Sequence, residues 1–164
     1  IHDGGSCSWC PCRTTRGFTK GKHYWEVTMS NIADDARNTF VGISRANIDK
    51  YWRIGYQPTE SWGFRGLDGA VYYSGKPIPY VEPFHQKDTI GVYLNMDVWP
   101  PVVCFFVNGK PGRLLALDQF PLKKGEVLYP AVTLINTGES VTIRNPLPIP
   151  ADVPKGLPTP GQSS

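Results

Sequence analysis

The chain lacks any apolar run near the length of a membrane-crossing helix, and no basic-then-apolar leader is visible at its start. The expectation is a soluble protein with no membrane partner. It also lacks a stripe of positive charge. Its 17 Lys and Arg stand against 14 Asp and Glu, scattered singly, and only Lys123 and Lys124 adjoin. Nucleic-acid recognition needs such a stripe or a recognisable module, so no nucleic-acid partner is expected. Long helices are excluded by 16 prolines and 17 glycines. Paired carboxylates are missing too: Glu26 stands alone, and the adjacent Asp34 and Asp35 would point opposite ways on an extended chain. The three histidines have no Ser/Asp or Cys company at motif spacing. No catalytic residue is expected, and the chain reads as a non-enzyme.

Cysteine is sparse but concentrated. Three of the four cysteines fall in CSWCPC at residues 7–12. Cys7 and Cys10 have zinc-knuckle spacing, yet a structural zinc site needs four ligands, usually as two such pairs. The remaining Cys104 lies inside VVCFFV, where a thiol behaves as a small hydrophobe. Trp9-Cys10-Pro11-Cys12 has the look of a redox motif, but such motifs place the first Cys at a helix N-terminus. Here the chain runs on through RTTRGFTKGK into a strand pattern. The cluster is therefore expected to be a leading strand or loop (1–12) of plain thiols, with no metal and no cofactor. Thiols of this kind suit a reducing, intracellular, cytoplasmic setting. The first residue is Ile1 and not Met, so a segment cut from a longer protein is expected.

What is present is alternation with period two. In HYWEVTM, Trp25, Val27 and Met29 point one way while Tyr24, Glu26 and Thr28 point the other. TIGVYLNM repeats the pattern with Ile90, Val92, Leu94 and Met96, and VVCFFV is apolar throughout, as in a strand covered on both faces. Asn108-Gly109 fits a two-residue type I′ turn, and Asn136-Thr137-Gly138-Glu139 reads as a hairpin between YPAVTLI and SVTIR. Only NIADDAR and ALDQF offer a turn or two of helix. Many short strands with regular turns predict an all-β antiparallel sandwich, one domain of residues 13–150. Beyond it, the proline-dense 151–164 is expected to be a flexible tail.

The loops carry side chains suited to binding. SRANIDKYWRIGYQPTE (44–60) is long for a sandwich connection and holds Tyr51, Trp52, Tyr56, Arg45 and Arg53. Aromatics and Arg dominate interface energetics, although any one ring here could equally plug the sandwich end. Trp99 in MDVWPPVV is a second candidate, beside two stiffening prolines.

In order, FTKGKHYWEV, FVGIS, SWGF with LDG, DTIGVYLNMD, FFVNGKPG, LYPAVTL and VTI span about residues 13–145. Together they resemble the SPRY domain, the core of the PRY-SPRY module. The closing LPIP resembles the end of tripartite-motif ubiquitin ligases, and the core loops are at least as similar to the SPRY domains that accompany SOCS boxes. The resemblance implies a bent, concanavalin-like jelly-roll sandwich that binds a protein or peptide through loops at one end and is monomeric as an isolated domain. It implies a substrate-recognition role in a ubiquitin ligase or scaffold. Carried over position by position, it puts Arg13 at the peptide-binding arginine and Tyr56 at the contact tyrosine. Arg37, Asn38, Ile135, Asn136 and Thr137 fall near the same pocket. The family's Trp-Gly pair is replaced here by Asn136-Thr137, so its Asn-rich peptide is not carried over. Trp62-Gly63, by contrast, is assigned to the core. The rival reading is a carbohydrate- or nucleotide-binding sandwich using the same pocket.

Overall fold

The structure is a computed structural model that describes residues 10–48, 52–56, 60–118 and 122–156. It consists of two antiparallel sheets. In chain order the strands are β1 (Cys10–Arg13), β2 (Lys22–Asn31), β3 (Phe40–Ser44), β4 (Ser61–Arg65), β5 (Ala70–Tyr73) and β6 (Lys76–Pro79). The second half supplies β7 (Thr89–Asn95), β8 (Val102–Val107), β9 (Lys110–Pro111), β10 (Leu115–Ala116), β11 (Tyr129–Leu134) and β12 (Ser140–Arg144). The first sheet has the order β1-β11-β3-β4-β5-β6, and the second β10-β8-β7-β2-β12, with β9 paired to β8. The all-β sandwich expected from alternation is what forms. β1 crosses the boundary expected after residue 12 and pairs with β11 through Arg13.

The inward faces are the predicted ones. Trp25, Val27 and Met29 of β2 meet Ile90, Val92 and Leu94 of β7 and Val41 and Ile43 of β3 in one core, which also takes Trp62. Phe64 sits at its centre, with ring centroids 5.0 Å from Phe84 and 5.2 Å from Phe105. Each such buried aromatic contributes about 1.5–3 kcal/mol by leaving water. VVCFFV is covered on both sides as expected. Val103 and Phe105 face the core, while Val102, Cys104 and Phe106 face outward among Tyr24, Tyr93 and Leu114. The chain after β12 closes over that outer face: Leu147 and Val153 pack on it, and Leu147 N–H donates to Tyr24 O at 3.0 Å.

Turn chemistry is as predicted at Asn108-Gly109, where φ of 50° and 83° joins β8 to β9 with two residues. Two expectations are corrected, and a third is met in an unexpected hand. Asn136–Glu139 is no hairpin, because β11 pairs with β1 and β3 whereas β12 pairs with β2 in the opposite sheet. The apolar side chains of SVTIR had no room beside an already flanked β11, so the segment crosses between the sheets as an arch. ALDQF does not begin a helix: Leu115–Ala116 is strand β10 against β8, and residues 119–120 lie outside the described residues. In NIADDAR the turn forms as a 3₁₀ turn, Asp34–Ala36, but its backbone is left-handed, with φ of 55°, 52° and 62°. Aspartate tolerates that region better than most residues.

The arch is held by one buried carboxylate. Glu139 Oε2 accepts from Ile135 N–H at 2.9 Å and Asn136 N–H at 3.0 Å, and Oε1 accepts from Ala33 N–H at 3.1 Å and Asn136 Nδ2 at 2.8 Å. It therefore ties the arch to the turn before β3. Replacing it strands these donors in a buried site. Glu139→Ala is expected to lower stability by about 3 kcal/mol in urea unfolding, with Glu139→Gln in between. A midpoint unchanged by Glu139→Ala would contradict the pinning role.

Candidate functional site

The outer face of the first sheet is also apolar. Phe40, Ala70, Tyr72 and Ala131 point outward, and Ile54 covers them from the segment between β3 and β4. That segment is sewn down by backbone donors: Ile54 N–H to Thr133 Oγ1 at 2.9 Å, Gly55 N–H to Ser61 Oγ at 2.9 Å, and Gly75 N–H to Gly55 O at 2.9 Å. Gly63 permits the close approach, since a Cβ there would stand 2.8 Å from Ile54 O and 3.0 Å from the Phe40 ring. Trp62 is thus core, as the sequence suggested, whereas Gly63 lies on the outer face as the seat of Ile54.

On this seat the half-buried Arg53 and Tyr56 form the next layer outward. The Arg53 guanidinium lies 3.7 Å from the Tyr56 ring centroid. Tyr56 stacks on Tyr72 at 5.1 Å and 18°, and Phe40 meets both edge-on at 5.9 Å. Arg65 lies 5.4 Å from Phe40 and 5.7 Å from Tyr72. Its Nη2 donates to Asn38 Oδ1 at 3.2 Å, and Asn38 Nδ2 donates to Asp34 Oδ2 at 3.1 Å. Tyr72 donates its hydroxyl to Asp68 Oδ2. Burial raises the Tyr72 pKa, and the Asp68 hydrogen bond adds to that, so the phenol keeps its proton at neutral pH. Trp52, at the start of this layer, is 50% exposed. This layer interleaves the Tyr56 and Tyr72 rings with the Arg53 and Arg65 guanidinium groups, side-chain types that can pack on a partner while donating hydrogen bonds.

The structure brings some of the expected site residues together and separates others. Asn38 and Tyr56 share this face, with exposed Arg37 beside Asn38, and Trp52 adjoins Arg53 in the chain. Ile135, Asn136 and Thr137 form the arch at the same end of the sandwich, where β11 finishes beside the start of β3. There the Asn136 side chain serves Glu139. Arg13 pairs with Ala131, four residues back along β11 from Ile135, or about 13 Å. Its guanidinium donates to Ala46 O at 3.0 Å and Thr14 O at 2.9 Å and lies 3.9 Å from the Tyr129 ring centroid. Trp99 is at the Tyr129 end too, on the β7–β8 connection, and is 48% exposed. Tyr51 lies outside the described residues, as do Cys7 and Trp9.

Sequence reasoning missed Arg65, Asp68 and Tyr72. The available signal was the period-two pattern itself: Arg65 and Gly63 alternate with Trp62 and Phe64, which puts Arg65 on the outer face. Of the cysteine cluster, Cys10 and Cys12 sit in β1 opposite Leu134 and Val132. Cys104 is buried, and burial pushes its thiol up to about 11.

A double-layered antiparallel sandwich with outer faces covered by irregular segments defines the class, and comparison supplies the family. The SPRY domain family model matches residues 22–147, so this chain belongs to the SPRY family. SPRY domain-containing SOCS box protein 3 of Xenopus tropicalis is 32% identical over 67% of this chain and 31% of its own length. The probable ATP-dependent RNA helicase ddx1 of Dictyostelium discoideum is 30% identical over 80% of this chain and 15% of its own length. The chain thus spans under a third of these relatives. Among solved structures, the SPRY domain of human HERC1 matches with a TM-score of 0.70 and 25% identity, covering 85% of this chain and 84% of that one.

Two outcomes follow from the site's packing. Gly63→Ala is expected to cost about 1–3 kcal/mol in chemical denaturation, because the added methyl lifts the Ile54 segment from its seat. Full stability in that variant would mean the contact is loose. Cys104 should stay unreactive toward Ellman's reagent at neutral pH until the protein is unfolded; prompt labelling in the native state would contradict its burial.

Proposed function

We propose that this SPRY domain is a non-enzymatic protein-recognition module, and that its binding face is the guanidinium–aromatic layer over the first sheet. Trp52, Arg53 and Tyr56 supply the contact, with Asn38 and Arg37 at its border and the backbone of residues 135–137 as a flanking wall. The observation that carries this reading is the half-exposed Trp52 next to a segment whose Ile54 is fully buried. A large ring held out from a fixed seat loses little ordering entropy when a partner covers it. Arg13 contributes by positioning, since its guanidinium holds Ala46 at the start of the same segment. The name of the SOCS box relative supports a place in substrate selection by a ubiquitin ligase or scaffold.

The test is a peptide-display selection on the wild-type domain, followed by affinity measurements on variants. Trp52→Ala and Arg53→Ala should each weaken the selected peptide by about 1–3 kcal/mol without moving the melting temperature. Unchanged affinity in the double variant would refute the assignment. Failure to select any peptide, with retention on a glycan array or a nucleotide-dependent melting shift, would assign the face to a sugar or nucleotide instead.

A further inference from the structure

At the Tyr129 end, the β7–β8 connection holds two more exposed apolar side chains side by side, Val98 at 43% and Trp99 at 48%. They face a cleft of about 340 Å³ whose opposite wall is Leu122, Lys123, Lys124 and Glu126. The connection is fixed at both ends. Met96 N–H donates to Gly21 O at 2.8 Å, Gly21 N–H donates to Asp97 Oδ1 at 2.9 Å, and Leu117 N–H donates to Pro101 O at 2.8 Å. The indole is therefore presented from a held support, as binding anchors are.

The charges around the cleft select its ligand. Glu126 has both oxygens engaged: Oε1 takes Arg45 Nε at 2.6 Å and Nη2 at 2.5 Å, and Oε2 takes the Lys123 N–H at 3.1 Å. Asp97 is turned to Gly21 N–H. The side chains of Lys123 and Lys124 are exposed and, among the described residues, form no ion pair with a carboxylate. Lys124 Nζ lies 5.9 Å from the Trp99 ring centroid. Glu126 is thus neutralised by Arg45, and Lys123 and Lys124 outnumber Asp97, the one remaining acid of the lining, so the charge left over is positive and stands beside an indole. This is also where the one adjacent basic pair of the sequence falls.

We propose that this cleft is a second binding site, which takes an acidic peptide segment of a partner protein carrying a single aromatic or aliphatic anchor. The anchor packs against Val98, Trp99 and Leu122, and carboxylates on either side of it pair with Lys123 and Lys124. A nucleic-acid strand fits less well, because tracking a phosphate backbone takes a longer basic groove than one lysine pair supplies. The site is distinct from the face over the first sheet, because none of the residues lining the cleft belongs to that face.

The experiment titrates the whole chain with a fluorescein-labelled peptide, Asp-Glu-Asp-Phe-Asp-Glu-Asp, by anisotropy at low ionic strength. Saturable binding is expected. It should weaken about tenfold or more in Trp99→Ala and in the Lys123→Glu, Lys124→Glu pair, and when Ser replaces the peptide's Phe. Trp52→Ala should bind as the wild type does, and all variants should keep the wild-type melting temperature. The proposal is overturned by an absence of saturable binding or by equal binding of the charge-reversed pair. Equal binding of the Ser peptide would reduce the effect to general charge attraction and also overturn it. So would tighter binding of oligothymidylate, or loss of binding in Trp52→Ala with Trp99→Ala unaffected.

Discussion

Burial on both faces of both sheets is the constraint from which the rest of this molecule follows. A sandwich needs only its inner faces apolar, yet Phe40, Tyr72 and Ala131 point outward from the first sheet and Tyr24, Cys104 and Phe106 from the second. Apolar area of that size cannot be left in water without a large penalty. Each outer face is therefore covered by irregular chain: the segment around Ile54 on one side, and Leu147 with Val153 on the other. The covers are not decoration on a finished fold; they complete it.

That requirement explains why the side chains of the proposed binding face sit where they do. A segment obliged to bury Ile54 and dock its backbone on Thr133 and Ser61 has its neighbours held in place as a consequence. Trp52, Arg53 and Tyr56 are presented by a support that is already fixed, the condition under which contact area turns into affinity. Glu139 does the equivalent for the end of the sandwich, joining the arch after β11 to the turn before β3 through one carboxylate. At the opposite end, Asp97 and Glu126 take over the same task for the connections that frame Trp99.

The cysteines belong to this structural logic. Cys10 and Cys12 are strand residues whose backbone completes the edge of the first sheet, and Cys104 fills the outer face of the second as an apolar group. The described part of an eye-catching cluster, Cys10 to Cys12, thus occupies ordinary strand positions. The chemistry with an interface character lies in Arg and aromatic residues that carry no motif of their own.

By itself the sequence determined the all-β class, the inward faces of β2 and β7, the double coverage of β8 and the Asn108-Gly109 turn. All of these are local consequences of period-two alternation and of backbone conformations open to few residues. Tertiary structure alone decided which strands pair, and the false hairpin at Asn136–Glu139 shows why. A turn-like tetrapeptide is compatible with a hairpin or an arch, and only the strands already flanking β11 select between them. The same holds for the site. Trp52, Tyr56 and Asn38 were visible as residue types, but their assembly with Arg65 and Tyr72, and the distance of Arg13 from the arch, depend on register between strands far apart in the chain. Register is a property of paired surfaces, and a single strand does not carry it.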